Sequence, residues 1–166
     1  MPNDCAMNET PIYRFMQPGE ERAVSDLVTR VFSQFVAPAF VRRGVLSFLS
    51  YAKPRSLAAR SRADYVVRIA QVQTRIVGMI EIRAYRHISL LFVEKQFQGQ
   101  GISKALLQQT LDLCRRQHPD LTGITVNASP YAVAIYERLG FRQQGPEITE
   151  NGVRFTPMMR LLPHDV

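Results

Sequence analysis

The chain has 166 residues, 46% apolar and 21% charged, enough for one domain with a real core. No apolar run approaches the ~20 residues of a membrane span, the opening MPNDCAMNETPIYRF lacks a secretory pattern, and two cysteines, Cys5 and Cys114, make no disulfide framework, which points to a reducing cytoplasm. The net charge of +7 suits an anionic partner, and the absence of a Lys/Arg run or an RNA-binding aromatic signature places nucleic acid below a phosphorylated cofactor.

Residues 1–10 read as a short flexible lead and 1–166 as one domain, with no repeat or linker. Ile12-Tyr13-Arg14-Phe15 alternates as a short strand, and Pro18-Gly19 turns the chain. From Glu20 to about Gln34, Ala23, Leu27, Val28, Val31 and Phe32 recur at helical spacing. A second helix is expected from about Ala39 to Tyr51, between Pro38 and Pro54. Residues 57–62 fit a short helix or a loop. Asp64–Ala70 and Arg75–Ala84 read as strands of a hairpin turning at Thr74, with Ile80 and Ile82 on one face and Met79, Glu81 and Arg83 on the other.

His87 to Val93 is apolar nearly throughout, as a strand covered on both faces is. A polar turn holding Gly99 and Gly101 follows, then a helix to about Gln117. A strand that stops at a glycine turn and feeds a helix leaves the first helical N–H groups unpaired. With the helix dipole they form an anion site, for which a pyrophosphate is the expected ligand. Gly123–Val126 is a short strand. Ser129-Pro130 reads as the N-cap and first position of a helix that closes at Gly140. Phe141-Arg142 starts a strand, Glu150-Asn151-Gly152 turns it, and Val153–Leu162 returns as hairpin partner. This order predicts an α/β (α+β) fold with a mixed sheet and helices on both faces. The strands flanking the 101–117 helix should be parallel.

Gln98-Gly99-Gln100-Gly101-Ile102-Ser103 resembles the Q/R-x-x-G-x-G/A motif of the GNAT acetyltransferase superfamily, with Ser103 where Gly or Ala is usual. Val126–Phe141 resembles that family's second signature, with Tyr136 and Leu139-Gly140-Phe141 in register and Ser129 in place of the common Asn. The likeness covers Ile76–Phe141 in detail. It implies the GNAT fold, a mostly antiparallel sheet with one splayed parallel pair. It also implies acetyl-CoA as co-substrate, no metal, and direct attack by a primary amine in a ternary complex. A non-catalytic acyl-CoA-binding or sensing module of the same fold is the alternative. The acceptor, a small molecule or a peptide or protein amine, is open, and so is a homodimer; no membrane partner is implied.

By this resemblance the backbone from Gly99 to Lys104 holds the pyrophosphate, with Lys104 and Lys95 near the phosphates. Leu91, Phe92 and Val93 pair with the pantetheine arm in the gap beside Gly123–Val126, and an N–H near Phe92 faces the thioester carbonyl. Asn127 and Ser129 close the parallel strand and begin the last helix. Contact with the arm or with a water near the amine is open for both, and for Ser129 the helix cap is the first reading, cofactor contact an addition to it. Tyr136 protonates the leaving thiolate. An amine must lose a proton to attack. Glu81, on the neighbouring strand, is the first candidate base, its other reading being a carboxylate paired with Arg83 or Arg68. His87 is the second candidate, though a histidine there more often packs or hydrogen-bonds. Cys114 reads as a packed helix residue, and Met158-Met159 as core or pocket lining. Acceptor choice is expected in Phe32–Arg62 and around Phe155.

Overall fold

The computed structural model describes residues 9–163, so Cys5 and most of the expected lead lie outside the described residues. The elements are β1 (Ile12–Phe15), α1 (Glu21–Phe35), α2 (Arg42–Tyr51), α3 (Pro54–Ser61), β2 (Tyr65–Val72), β3 (Arg75–Arg83), β4 (His87–Val93), α4 (Ile102–Gln117), β5 (Gly123–Ala128), α5 (Val133–Arg138), β6 (Arg142–Gln143), β7 (Ile148–Glu150) and β8 (Val153–Leu161). The sheet runs β1-β2-β3-β4-β5-β8-β6, with β7 on β8, and only β4–β5 is parallel. That is the mixed, mostly antiparallel sheet the sequence predicts.

The two faces bury separate clusters. On one, Ile102, Leu106, Leu107 and Leu111 of α4 meet Ile80, Ile82 and Ile88 of the sheet, with Tyr136 and Phe141 beside them. On the other, Val24, Leu27 and Val28 of α1 and Leu57 of α3 cover Met79, Leu90 and Ile69. Each such fully buried aliphatic side chain contributes about 1.5–3 kcal/mol relative to exposure. Cys114 is packed on the α4 face, where burial pushes its thiol up to about 11, so it is inert at neutral pH.

Several boundaries differ from expectation, each for a local reason. The second helix starts at Arg42, because Pro38 sits in a separate 3-10 turn at Ala37–Ala39 and Val41 is extended. Residues 54–61 are helical, with Pro54 in the first turn, where a missing N–H costs nothing. Ser129 does not cap with its hydroxyl. Its backbone carbonyl accepts from Ala132 and Val133 instead, and the helix proper begins at Val133. The strand expected after Phe141 is split into β6 and β7, because Pro146 between them lacks a ladder donor.

The β7–β8 turn docks on the first turn of α2. Val41 N–H donates to the carbonyl of Gly152 at 3.3 Å. Gly44, buried in α2, approaches Gly152 so closely that a Cβ at 44 would fall on that carbonyl. Only a residue without a side chain fits there. Gly44→Val should displace the hairpin and cost about 1–3 kcal/mol, the usual range for overpacking. Urea denaturation measures it; an unchanged midpoint would mean the two segments do not press on one another.

Candidate active site

β4 and β5 pair only at His87–Thr125 and Ile88–Val126. Beyond those pairs the strands part, so from Ser89 to Val93 the edge of β4 facing β5 carries no ladder. A cavity of about 570 Å³ runs through the gap, and its wall includes Leu91, Phe92 and Val93 on one strand and Asn127 at the end of the other. Gln98, Gly99, Gly101, Ile102, Ser103 and Lys104 border it from the turn and α4, and Ser129 and Tyr136 from the α5 side. Gln100 and Lys95 are not among its lining residues; Gln100 instead bonds the carbonyl of Gln96 at 3.3 Å.

The turn leading into α4 leaves backbone N–H groups open beside two left-handed glycines. Gly99 and Gly101 have φ of 77° and 83°, a conformation that costs other L-residues about 1–2 kcal/mol. A Cβ on either would meet nothing within 4 Å, so the space beside them is open. No side chain caps α4, and no acidic residue lies in its first turn. The first capping bond is that of Ala105 N–H to the carbonyl of Gly101 at 3.0 Å, leaving the N–H groups of residues 102–104 without a partner among the described residues. At α1, by contrast, Glu20 and Glu21 accept from the entering backbone N–H groups of Gln17 and Gly19. Gln98 braces the turn: its amide donates to the Val93 carbonyl at 3.0 Å and its oxygen accepts from Tyr131 at 3.4 Å.

Tyr136 is held by the end of its own helix. Phe141 N–H donates to the Tyr136 carbonyl at 2.9 Å and Gly140 N–H to that of Glu137 at 3.0 Å, the paired bonds of a Schellman cap. The Phe141 ring packs edge-on against Tyr136, 5.2 Å between centroids. Tyr136 is 6% exposed, and burial pushes its pKa far above the ordinary range. Its hydroxyl enters no side-chain hydrogen bond among the described residues. Nor is it one of their fully enclosed unpartnered atoms, which are Arg60 Nη2 and Arg68 Nε. The hydroxyl therefore opens toward the cavity that Tyr136 lines.

The two candidate bases are elsewhere. Glu81 faces away from Ile80 and Ile82, as expected, but lies opposite Leu90 of β4 and Val67 of β2, one strand removed from the gap. It is 0% exposed and does not line the cavity. Its partner is neither Arg83 nor Arg68. Arg60 Nε donates to its two oxygens at 3.1 and 3.3 Å and Tyr51 Oη donates at 2.9 Å. Desolvation raises the Glu81 pKa, while Arg60 and Tyr51 oppose the rise. His87 sits where the strands are still paired and shares a 2.8 Å hydrogen bond with Thr125 Oγ1. Burial, helped by Arg83, lowers its pKa.

An acetyltransferase (GNAT) domain model matches residues 36–162. The chain belongs to the GNAT acetyltransferase family. It is therefore an acyltransferase of the N-acetyltransferase class. No curated protein matches it by sequence. Among solved structures, a GCN5-related N-acetyltransferase from Rhodopseudomonas palustris superposes with a TM-score of 0.79 at 20% identity, over 92% of this chain and 96% of that one. PaiA N-acetyltransferase from Thermoplasma acidophilum, solved with coenzyme A, gives 0.76 at 13% identity over 92% and 99%. An aminoglycoside 6'-N-acetyltransferase, also with coenzyme A, gives 0.70 at 12% identity over 93% and 99%. At these identities the superpositions speak for the GNAT fold.

Within this GNAT domain, some cavity-shaping contacts have no local sequence signal. Phe35, at the end of α1, stacks on Tyr131, a lining residue in the turn before α5, at 4.9 Å. Met158 is core rather than lining, and none of Arg42, Arg43, Arg55, Arg60 or Arg62 lines the cavity. Phe40, Phe48 and Phe155 do, within the regions expected to choose the acceptor. Among the described residues no helix is long and apolar enough to cross a membrane, and no cluster of His, Cys, Asp and Glu could hold a metal.

Proposed function

We propose that the chain transfers an acetyl group from acetyl-CoA to an amine by direct attack within the cavity. The observation that carries this is the uncapped start of α4, opening beside a glycine turn into the gap between β4 and β5. Bound there, acetyl-CoA supplies the activated acyl group. The N–H groups of residues 102–104 bind its pyrophosphate, assisted by Lys104. The free edge of β4 at Leu91–Val93 pairs with its amide-bearing arm as a neighbouring strand would, and Asn127 and Ser129 border the arm. An N–H near Phe92 polarises the acyl carbonyl. Tyr136, protonated and open to the cavity, donates to the departing sulfur.

The proton of the amine leaves through water. Glu81 serves this reading as an anchor for the cavity wall, since Arg60 and Tyr51 hold its carboxylate. Much of the acceleration comes from holding amine and acyl carbon together.

The test of the anion site is Gly101→Val. A branched residue strains the left-handed backbone and fills the open space before the helix. Calorimetric titration with coenzyme A should show affinity at least ~10-fold weaker, about 1.4 kcal/mol, because the added side chain takes the space assigned to the phosphates. Full affinity in the variant would refute the assigned binding turn.

A further inference from the structure

The charge on the cavity wall has one sign. Among the described residues, Lys104, Arg138 and Arg154 are its only ionisable lining residues besides tyrosine, and no aspartate or glutamate is among them. Three carboxylates around it are engaged by arginines, Glu81 by Arg60 at 3.1 Å, Glu94 by Arg30 at 2.9 Å and Glu147 by Arg154 at 2.9 Å, and Glu137, next to Tyr136, accepts from Gln143 at 3.1 Å. Lys104 belongs to the α4 end. Part of the wall lies on the opposite face of the sheet, where Leu90, Phe48 and Phe92 pack with the α1–α3 cluster. Phe40, Phe48, Phe92 and Phe155 make that part of the cavity aromatic. Phe48 lies flat on Phe32 at 3.8 Å, so one of its two faces is already covered.

An ammonium entering this space loses water and gains no lining carboxylate in return, and the Arg154 charge beside it is matched by Glu147 rather than by a free anion. That favours the neutral amine. With no lining carboxylate among the described residues to take the first proton of an ammonium, an acceptor that arrives neutral is favoured, and the proton released on attack leaves through water. At pH ~7.5 an amine with the ~10.4 pKa of lysine is neutral in about one molecule in 800, and an α-amine near ~7.8 in about one in three, roughly a 250-fold difference. A second cation on the acceptor would lose water in the same way with no lining carboxylate to offset it.

We propose that the acceptor is a weakly basic amine, of the α-amino type, carried on an apolar or aromatic body without a second positive charge. Polyamines, aminosugars and lysine side chains are poor acceptors. This rests on the acetyltransfer reading above and names the substrate class of that same site.

The full chain with acetyl-CoA is assayed for free thiol release with phenylalaninamide, 2-phenylethylamine, spermidine and kanamycin. The first two share an aromatic body and differ in amine basicity. The expected order of kcat/KM near pH 7.5 is phenylalaninamide first, at least tenfold above phenylethylamine, with spermidine and kanamycin lower still. Raising the pH to 9.5 should narrow the gap between the two aromatic amines, because it supplies the neutral form of the stronger base. Equal or better turnover of spermidine or kanamycin overturns the proposal, as does a phenylethylamine rate that matches phenylalaninamide at pH 7.5. A melting-temperature rise with coenzyme A, together with no thiol release from any of the four, also rejects this acceptor class but leaves the cofactor site standing. No melting shift with coenzyme A removes both this proposal and the acetyltransfer reading.

Discussion

Tyr136→Phe should lower kcat by about 100-fold or more, the lower end of what a positioned general acid contributes, with coenzyme A affinity changed less than about threefold. The substitution removes one oxygen and leaves the ring. The edge-on packing against Phe141 and the helix-end bonds from Phe141 and Gly140 involve ring and backbone alone, so the fold should be unaffected. Burial keeps the phenol protonated through the neutral and moderately basic range, which is the form an acid needs. No decline of the wild-type rate below pH ~10 should therefore trace to this group, whose unperturbed value is already ~10. Steady-state kinetics with a saturating acceptor measures the effect. A Phe variant with wild-type kcat at every pH would remove Tyr136 from the chemistry and make it a packing residue.

The largest effect on stability is expected from Arg60→Ala, a loss of about 3–5 kcal/mol, as when one partner of a buried ion pair is removed. Glu81 is 0% exposed and the Arg60 side chain 12%. Arg60 also donates through Nη1 to the Tyr51 carbonyl at 2.7 Å, and its guanidinium lies 3.5 Å over the Tyr51 ring. One side chain thus ties the end of α2 and the body of α3 to the centre of the sheet. Without it, Glu81 keeps only the Tyr51 hydroxyl. The sign of the pH dependence follows. Burial already raises the folded pKa of Glu81, and loss of the arginine raises it further. A group with a raised folded pKa favours the folded state below its unfolded pKa and loses that contribution as pH climbs through the folded one. The deficit of the alanine variant should therefore be smaller at pH 5 than at pH 8. Urea denaturation at both values checks it, and Arg60→Met combined with Glu81→Leu should recover part of the loss by removing both charges. A deficit under about 1 kcal/mol, the scale of an exposed pair, would show that water reaches this cluster.

The strand–turn–helix from His87 to Gln117 was legible because each of its parts is local. A run of apolar residues specifies a strand covered on both faces, and the two glycines specify the left-handed turn. The Y-E-R-L-G-F stretch was equally legible, since its glycine and phenylalanine make the helix-end bonds that hold Tyr136. Ser129 misled because serine before proline is also a common turn, and here the backbone carbonyl did the capping. Glu81 misled for a different reason. Period-two alternation correctly gave its face, but which element covers that face depends on α2 and α3, and Arg60 lies in α3.

From the sequence alone came the left-handed glycine turn before α4, the cap beneath Tyr136 and the family, because hydrogen bonds and backbone angles there are satisfied among near neighbours in the chain. Tertiary structure decided that Glu81 is locked to Arg60 and that Gly44 receives the β7–β8 turn. It also decided that Phe35 meets Tyr131 and that no aspartate or glutamate among the described residues lines the cavity. Those outcomes depend on how separate elements pack around a parting of two strands, and neither charge nor periodicity specifies which distant side chain arrives at a buried position.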